Sequence, residues 1–419
     1  MLYERWRQIA RENRGEIALH DLVAGKRWSF ADLDQVAEHG GTAGPVAFPQ
    51  GHDFIFALLR AWRAGTVVCP LEPGQTAPVF GEPPKGCVHL KTTSATTGAP
   101  RFVAFTAEQL AADAYNIVAT MGLRRDWPNL GVISLAHSYG FSSLVLPLVL
   151  HGVPLILGDG PLPEMMRSAG HGFAGITLPA VPALWRTWHE SKSIPANVRL
   201  AISAGAPLSL ALEQSVFDES GLKLHNFYGS SECGGIGYDS SAIPRSDANC
   251  VGVPMKNVEV AIADDGCLEV RGRAVAETYW PERSPGLGSG RFLTSDLAEI
   301  KDGQIYWRGR ACDRINVAGR KLSPELIEKA LLSHPQVAEA IVFGTPSADV
   351  ERSETIVACV VIRRPTSADE LRQFLLHQMP AWQVPREWMF VESLEANGRG
   401  KISRAEWRRK FLAGVNPSG

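Results

Sequence analysis

Between residues 131 and 205 the chain contains three short aliphatic runs, GVISLAH (131–137), VPLILGD (153–159) and RLAISAG (199–205). Runs of this length that end in small or polar residues predict strands. Longer amphipathic segments alternate with such runs through the first three quarters of the sequence. This alternation favours an α/β fold whose strands deliver functional loops at their carboxyl ends.

Beyond about residue 250 the sequence predicts tight turns between short strands. VEVAIADDGCLEVRG (258–272) has Asp-Asp-Gly between alternating apolar residues, and LAEIKDGQIYWRGR (297–310) has Asp-Gly between two further runs. Both patterns are typical of β-hairpins. We therefore expect a large N-terminal domain of residues 1–311, made of stacked α/β sheets and a β-rich subdomain.

The last part of the chain, residues 312–419, is predicted to form a small α+β domain. PELIEKALLSHPQVAEAIVFG (324–344) predicts a helix followed by a strand, with Ser323 as the N-cap residue and proline at the first helical position. ADELRQFLLHQM (368–379) predicts a second helix, and a basic segment follows it.

Composition argues for a globular protein that acts on a small molecule. The 419 residues are 45% hydrophobic and 21% charged, with a formal net charge of −2, so no strong field would attract nucleic acid or an anionic membrane. The most apolar stretch, residues 144–157, contains two prolines and is too short to span a bilayer, which predicts buried core. The 7 cysteines form no CxxC pair, and we expect a reduced, cytoplasmic protein.

A hydroxyl-rich loop, TTSATTGAPR (92–101), directly follows an apolar run that contains Val88 and Leu90. Hydroxyls and free backbone N–H groups can hold a polyphosphate, and Arg101 can neutralise its charge. The spacing differs from a Walker A loop. Without further motifs, an ordinary threonine-rich turn would explain the segment equally well.

The loop resembles the phosphate-binding signature [ST]SGTTGxPK of the adenylate-forming superfamily, which contains acyl- and aryl-CoA synthetases, luciferases and nonribosomal-peptide adenylation domains. Ala95 stands where the family has glycine, and Arg101 stands where it has lysine, so a planar guanidinium replaces a point charge. The resemblance implies a set of residues that bind the phosphates of ATP: Thr93, Ser94, Thr96, Thr97, Gly98 and Arg101.

Two further motifs of the same family follow in its order. SAGAPL (203–208) resembles the loop that brackets adenine and the acyl group, and NFYGSSE (226–232) resembles the YGxTE motif. In that motif Tyr228 would stack on adenine and Glu232 would hold Mg²⁺, since a hard cation prefers carboxylate oxygen. The resemblance assigns Ser203 and Gly234 to the substrate pocket. It assigns the remaining residues of both loops to the nucleotide: Gly205, Ala206, Pro207, Asn226, Gly229, Ser230 and Ser231.

LTSD (293–296) resembles the family's TGD, whose aspartate, here Asp296, accepts hydrogen bonds from the ribose hydroxyls. A hairpin-edge aspartate is the alternative. The segment from 309 to 321 resembles the junction between the two domains and would place Arg310, as a catalytic residue, near the ribose and phosphates. Cys312 occupies the usual hinge position, and Gly319 matches a glycine that lines the pantetheine tunnel, unless it is a simple turn glycine.

NGRGKI (397–402) resembles the glycine loop whose lysine, here Lys401, contacts the incoming carboxylate and the α-phosphate during catalysis. A solvated basic turn is the alternative. SLAHSYG (134–140) resembles the segment that borders the acyl pocket, which assigns His137 and Tyr139 to the substrate site, although a histidine at a strand end is often structural. Members of the family that activate α-amino acids usually carry an aspartate near here to pair with the amino group. Residues 131–150 contain no acid, so the resemblance disfavours an α-amino acid substrate.

The resemblance runs from about Arg5 to Lys401 and implies an acid–thiol ligase with a small mobile C-terminal domain. ATP and Mg²⁺ would activate a carboxylic acid, aryl or of medium length, as acyl-AMP, and a pantetheine thiol, most simply that of coenzyme A, would accept the acyl group. An enzyme that loads the phosphopantetheine of an acyl-carrier protein is one alternative. A catalytically silent nucleotide- or acyl-binding homologue is another, motivated by Ala95, Arg101, Cys312 and the 91 residues before the phosphate loop, fewer than in most members.

Overall fold

The structure is a computed structural model that describes residues 1–39, 51–72, 81–92, 102–158, 160–318, 320–347, 354–394 and 403–414. The chain divides into two compact units. The first comprises Met1–Ala263, Glu269–Thr294 and Ile300–Tyr306, and the second comprises Asp264–Leu268, Ser295–Glu299 and Trp307–Gly419.

The helices follow in chain order. They are α1 (Leu2–Glu12), α2 (Phe30–Glu38), α3 (His52–Ala64), α4 (Ala107–Met121), α5 (Ser138–Gly140), α6 (Leu146–His151), α7 (Pro163–Ala169), α8 (Pro182–Glu190), α9 (Leu210–Ser220), α10 (Pro324–Leu332), α11 (Ala368–Leu376) and α12 (Arg404–Leu412). A π-helical turn, Phe141–Val145, joins α5 to α6, and 3₁₀ turns occupy Ala311–Asp313 and Ala381–Gln383.

The strands are numbered in the same way. They are β1 (Ile17–Asp21), β2 (Lys26–Ser29), β3 (Cys87–Thr92), β4 (Phe102–Thr106), β5 (Asn129–Gly131), β6 (Leu155–Leu157), β7 (Ile176–Ala180), β8 (Val198–Ser203), β9 (Leu224–Ser230), β10 (Gly234–Tyr238), β11 (Val253–Pro254), β12 (Glu259–Ile262), β13 (Cys267–Arg271), β14 (Thr278–Trp280), β15 (Leu287–Gly288), β16 (Arg291–Lys301), β17 (Gln304–Arg310), β18 (Ile315–Val317), β19 (Arg320–Leu322), β20 (Val337–Pro346), β21 (Glu354–Ile362) and β22 (Glu387–Val391).

A nine-stranded sheet forms the centre of the first unit, in the order β11-β10-β9-β8-β7-β5-β6-β1-β2. The neighbouring strands from β9 to β1 pair in parallel, whereas β2, β10 and β11 are antiparallel additions at the two edges. Parallel strands need helical crossovers, and these cover the faces of the sheet. The predicted α/β fold is confirmed for this unit.

Buried apolar side chains between the sheet and its helices form the core of the first unit. Trp185 and Trp188 of α8 are fully buried against Ile176, Leu178 and the strands beside them. Residues 144–150, in the π turn and α6, are also buried, as the sequence predicted for the start of this apolar stretch. No helix in the described part of the chain is long and apolar enough to cross a membrane.

The predicted strand GVISLAH is misplaced by several residues, because β5 ends at Gly131. Local side-chain hydrogen bonds compete with the sheet beyond that point. Ser134 Oγ accepts from the N–H of Ala136 at 3.2 Å, and His137 Nδ1 accepts from the N–H of Tyr139 at 3.2 Å and caps α5. The segment therefore leaves the sheet and delivers α5 to its carboxyl edge.

Both predicted hairpins are present. The strands β12 and β13 are neighbours joined at Asp264–Gly266, and β16 and β17 are neighbours joined at Asp302 and Gly303, within a five-stranded sheet. A three-stranded sheet of order β14-β4-β3 lies in the first unit. Its edge strand β3 ends at Thr92, where the hydroxyl-rich loop begins.

The second unit is α+β, as expected. Its sheet has the order β20-β21-β22, and α10 and α11 bury Ile327, Leu331 and Leu371 against it. The helix α10 begins at Pro324 as predicted, but the Ser323 hydroxyl donates to the carbonyl of Arg308 at 3.0 Å and does not cap the helix.

Candidate active site

The carboxyl edge of the parallel sheet gathers several of the predicted site residues. Ala180 at the end of β7 pairs with Ser203 at the end of β8, and Ser203 pairs with Asn226 in β9. Ser203 is fully buried, yet its hydroxyl has no hydrogen-bond partner among the described residues. A buried hydroxyl left unpaired costs about 1–3 kcal/mol, so this atom is a candidate for contact with a ligand.

Tyr139 reaches the same edge from α5. Its hydroxyl lies 3.5 Å from the carbonyl oxygen of Ala180 and 3.4 Å from that of Ile202, and its ring centroid lies 5.9 Å from that of Phe227. Burial raises the pKa of the Tyr139 phenol well above its usual value, so the group stays a neutral donor. The structure therefore brings Tyr139 and Ser203 to one edge, while the His137 imidazole is used to cap α5.

Glycines allow the tight β9–β10 hairpin that carries the proposed magnesium ligand. Gly229 and Gly235 are paired across it, and a Cβ at Gly229 would lie 2.6 Å from the carbonyl oxygen of Gly234. Gly234 itself has φ +70°, a backbone region that favours glycine. The motif therefore requires glycine for chain geometry, in addition to any contact with a nucleotide.

Glu232 lies in the turn of this hairpin and is half-buried. Its N–H donates to Ser230 Oγ at 3.2 Å, and its Oε1 accepts from the Tyr279 hydroxyl at 3.0 Å. Tyr279 belongs to β14 and was not predicted as a site residue, since no spacing in the sequence links it to residue 232. Burial raises the pKa of the neighbouring Cys233 thiol to about 12, so it is neutral at physiological pH and a poor nucleophile.

A buried polar cluster lies behind the hairpin and was also missed. Ser142 Oγ accepts from Lys91 Nζ at 3.1 Å and donates to Asp113 Oδ2 at 2.6 Å. Asp113 Oδ1 in turn accepts from the N–H of Gly235 at 3.4 Å. Burial lowers the pKa of the Lys91 ammonium, and the charges of Asp113 and Glu232 oppose that effect.

The second unit brings Asp296 of β16 and Arg310 of β17 together. Arg310 Nε donates to Asp296 Oδ1 at 3.1 Å, and the Asp296 side chain is 13% exposed while that of Arg310 is 52% exposed. An exposed guanidinium beside a shielded carboxylate can offer further N–H donors to an anion.

The other predicted residues divide into two groups. Gly205, with φ +85°, Ala206 and Pro207 lie in the loop between β8 and α9; Tyr228 is half-buried in β9; and Ser231 lies in the β9–β10 turn. The remaining predictions lie outside the described residues: Thr93, Ser94, Thr96, Thr97, Gly98, Arg101, Gly319 and Lys401.

Two family models match the chain. The model of the AMP-binding enzyme matches residues 82–280, and the model of the AMP-binding enzyme C-terminal domain matches residues 326–401. The chain belongs to the AMP-binding enzyme family. The predicted adenylate-forming superfamily is thereby confirmed.

The relatives of this chain include named CoA ligases. A long-chain-fatty-acid–CoA ligase of Bacillus subtilis is 26% identical over 75% of this chain, which spans only 60% of that relative's length. A probable 2-succinylbenzoate–CoA ligase of Mycobacterium tuberculosis is 28% identical, over 76% of this chain and 83% of its own. An anthranilate–CoA ligase of Pseudomonas aeruginosa is 26% identical, over 84% and 72%. These names agree with the predicted class of enzyme, an AMP-forming acid–CoA ligase.

Solved structures share the fold of this chain. ATP-bound MatB from Rhodopseudomonas palustris has a TM-score of 0.85 at 19% identity and covers 98% of this chain and 99% of its own. The o-succinylbenzoate CoA synthetase of Bacillus subtilis, in complex with its acyl-adenylate intermediate, has a TM-score of 0.80 at 20% identity, over 96% and 97%. The predicted fold class, a large N-terminal and a small C-terminal domain, is confirmed.

Proposed function

We propose that this chain activates a carboxylic acid with ATP as acyl-AMP and then transfers the acyl group to the thiol of coenzyme A. One observation carries the proposal: Tyr139 of α5, Ser203 at the end of β8 and Asn226 within β9 lie at one sheet edge, and β9 leads directly into the Glu232 turn. The hydroxyl of Ser203 has no partner among the described residues and is available to a ligand. A carboxyl edge of this kind is the usual ligand site of parallel α/β sheets.

The residues present fit a magnesium ion bound together with a polyphosphate. Mg²⁺ in such sites is held by one or two carboxylates and by the phosphates themselves. Glu232 supplies one such carboxylate, half-buried and oriented by Tyr279, and no preformed group of three or more metal-binding side chains occurs in the described ranges. When bound, Mg²⁺ would supply charge neutralisation for the departing pyrophosphate.

Asp296, Arg310 and Lys401 would hold the sugar, the phosphates and the reacting carboxylate. Asp296 would accept hydrogen bonds from the ribose hydroxyls. Its Oδ1 also accepts from Arg310 Nε at 3.1 Å, which orients the guanidinium that would donate to the phosphates. Lys401 would bring the carboxylate and the α-phosphate together. Rotation of the second domain near Cys312 would then open a path for pantetheine past Gly319, where a side chain would narrow the passage.

The acid is proposed to be aryl or of medium length, and coenzyme A is proposed as the acceptor. The CoA ligases among the relatives support coenzyme A over an acyl-carrier protein, since they are named for that acceptor. Two relatives named for aryl acids, a probable 2-succinylbenzoate–CoA ligase and an anthranilate–CoA ligase, support an aryl acid. Gly234 and Gly235 leave no open space for it on their Cβ sides, because an added Cβ would lie 2.0 Å from Asp113 Oδ1 at Gly234 and 2.2 Å from Met255 Sδ at Gly235.

A pyrophosphate-release screen tests the proposal directly. The purified chain is incubated with ATP, Mg²⁺ and single acids of aromatic, short-chain and medium-chain type, and acyl-AMP and acyl-thioester are identified by mass spectrometry. We expect one class to release pyrophosphate and to form thioester only when coenzyme A is added. Thioester formed on holo-carrier protein alone would favour the carrier-protein ligase, and ATP binding without any acyl-AMP would favour the silent homologue.

Replacement of Lys401 by alanine tests the proposed catalytic lysine. If Lys401 stabilises the charge that develops during adenylation, Lys401→Ala should slow acid-dependent ATP–pyrophosphate exchange about a hundredfold or more. Transfer of the acyl group from supplied acyl-AMP to coenzyme A should be affected much less. An unchanged exchange rate would remove Lys401 from the mechanism.

A further inference from the structure

A buried cluster of Lys91, Asp113 and Ser142 connects three elements of the first unit. The residues belong to β3, α4 and the π turn, and the side chains of Lys91 and Asp113 are only 3% and 1% exposed. Lys91 Nζ lies 3.1 Å from Ser142 Oγ, 3.7 Å from Asp113 Oδ2 and 4.5 Å from the centre of the Phe105 ring. A charged group is therefore held out of contact with water.

The cluster connects two segments that the proposed function assigns to the phosphates and the metal. Lys91 immediately precedes Thr92, where the hydroxyl-rich loop begins, and is separated by one residue from Thr93, the first residue predicted to bind phosphate. On its other side, Asp113 Oδ1 accepts from the N–H of Gly235, three residues after Glu232. The contact with the hairpin is close, because a Cβ on Gly234 would lie 2.0 Å from Asp113 Oδ1.

Stability alone gives a poor account of this arrangement. Lys91 has three N–H donors but makes one hydrogen bond among the described residues, and its carboxylate partner lies at 3.7 Å. The free-energy cost of removing two charges from water exceeds the attraction between charges this far apart. Replacing a buried ion pair by apolar side chains of similar volume often leaves a protein equally or more stable. Groups that orient a metal-binding or phosphate-binding segment, in contrast, affect ligand affinity strongly.

We propose that Lys91 is a positioning residue that acts through Ser142 and Asp113 to fix the Glu232 hairpin relative to the strand leading into residues 93–101. The proposal rests on the proposed binding of ATP and Mg²⁺ at these two segments. Its consequence is that loss of the cluster weakens magnesium-dependent ATP binding in a protein that remains folded.

Two adjacent serines provide a matched experiment. Ser142 and Ser143 are both 3% exposed, but the Ser142 hydroxyl bridges Lys91 and Asp113, whereas the Ser143 hydroxyl has no partner among the described residues. The full chain and the variants Ser142→Ala and Ser143→Ala are titrated with ATP by calorimetry at a series of Mg²⁺ concentrations, and thermal unfolding is recorded for each.

We expect Ser142→Ala to raise the Mg²⁺ concentration needed for half-maximal ATP binding about tenfold, and Ser143→Ala to leave it unchanged. Equal Mg²⁺ dependence in both serine variants would overturn the proposal. The double variant Lys91→Met/Asp113→Asn removes both charges at similar volume and should show at least the shift of Ser142→Ala. A double variant that is folded and binds ATP like the wild type would also overturn it.

The measurement separates this inference from the proposed function. A wild-type chain that binds ATP with Mg²⁺, together with serine variants that behave alike, contradicts the positioning role alone. A wild-type chain that binds no ATP at any Mg²⁺ concentration contradicts both. Lys223→Met, in a separate buried cluster, serves as a control for a general loss of stability, and we expect a lower melting temperature with unchanged Mg²⁺ dependence.

Discussion

Two buried lysine–carboxylate clusters of the first unit differ in how completely their polar atoms are paired. Lys223 donates to Glu213, to Asp239 Oδ2 at 2.6 Å and to the carbonyl of Leu224 at 2.8 Å. Arg245 adds a bond from its Nε to Glu213 Oε2 at 2.8 Å. The three N–H donors of Lys223 are thus used, while Lys91 uses one of its three among the residues that the structure describes.

The difference in pairing indicates that the Lys223 cluster stabilises the fold and that the Lys91 cluster belongs to the candidate site. Lys223 lies just before β9 and connects that strand to Glu213 of α9 and to Asp239, which follows β10. Complete hydrogen bonding in this cluster offsets the cost of burying its charges. The cluster of Lys91 lies beside the Glu232 hairpin that follows β9, where pairing is incomplete. Rules of sequence and packing are most often broken at functional sites, which agrees with the assignment of the second cluster to ligand binding.

Removing the shared carboxylate of the fully paired cluster should have the largest effect. Glu213→Gln removes one of the two carboxylates that neutralise the buried Lys223 ammonium and Arg245 guanidinium. We expect the free energy of unfolding to fall by about 4 kcal/mol. Urea denaturation measures it. ATP affinity of the folded protein should not change. A loss below about 1 kcal/mol would show that the pairing contributes little and would end the contrast.

A methyl group at Gly234 should strain the loosely paired cluster. In Gly234→Ala the new Cβ would meet Asp113 Oδ1 at 2.0 Å at a residue with φ +70°, and we expect a loss of about 3 kcal/mol together with weaker magnesium-dependent ATP binding. Gly221→Ala is the matched control, since Gly221 has φ +68° with nothing within 4 Å of the added atom. The control should lose about 1 kcal/mol and keep its ATP affinity. Equal losses in the two variants would argue against close packing at Asp113.

Loss of one hydroxyl tests the orientation of Glu232. Tyr279→Phe removes the donor 3.0 Å from Glu232 Oε1, and we expect the Mg²⁺ requirement for ATP binding to rise about tenfold, because a hydrogen bond to a charged group is lost. Tyr306→Phe, which removes a hydroxyl that donates to Gln304 Oε1 at 3.1 Å, is the control. If both variants bind ATP with the same Mg²⁺ dependence, Tyr279 has no role in orienting the carboxylate.

The family and the main architecture could be predicted from the sequence because both are carried by local patterns. The Asp-Gly turns predicted the two hairpins, and Ser323-Pro324 predicted the start of α10. The predicted end of β5 was wrong, because the side chains of Ser134 and His137 accept hydrogen bonds from the backbone and draw the chain out of the sheet. The pattern of hydrophobic residues does not indicate such bonds. The roles assigned to the site residues stay predictions.

The contacts that orient the candidate site could not be predicted, because they join residues far apart in the chain. Tyr279 reaches Glu232 because β14 pairs with β4 and because the N–H of Ala276, just before β14, donates to the carbonyl of Glu232 at 2.9 Å. Asp113 reaches Gly235 only because α4 packs beside the hairpin. A single carboxylate or tyrosine in a helix or strand gives no sequence signal of such a partner, whereas the glycine-rich and hydroxyl-rich loops give a strong one.

The smallest expected effect on stability concerns Asp239, the second carboxylate bound by Lys223. Burial tends to raise the pKa of Asp239, but bonds from Lys223 and Ser241 outweigh it and hold the pKa below its ordinary value of 3.8. A carboxyl with a lowered folded-state pKa stabilises the fold fully above its unfolded value and loses that contribution as the pH falls through the folded value.

Asp239→Asn should therefore lower the free energy of unfolding by about 1 kcal/mol at neutral pH, and the difference from the wild type should shrink as the pH falls below 3.8. Matched urea titrations of both proteins from pH 7 to the acid limit of folding measure this difference, and protonation of other carboxyls cancels because it occurs in both. A difference that stays constant or grows toward low pH would mean that Asp239 is not held as an anion by Lys223. The fully paired cluster would then depend on Glu213 alone.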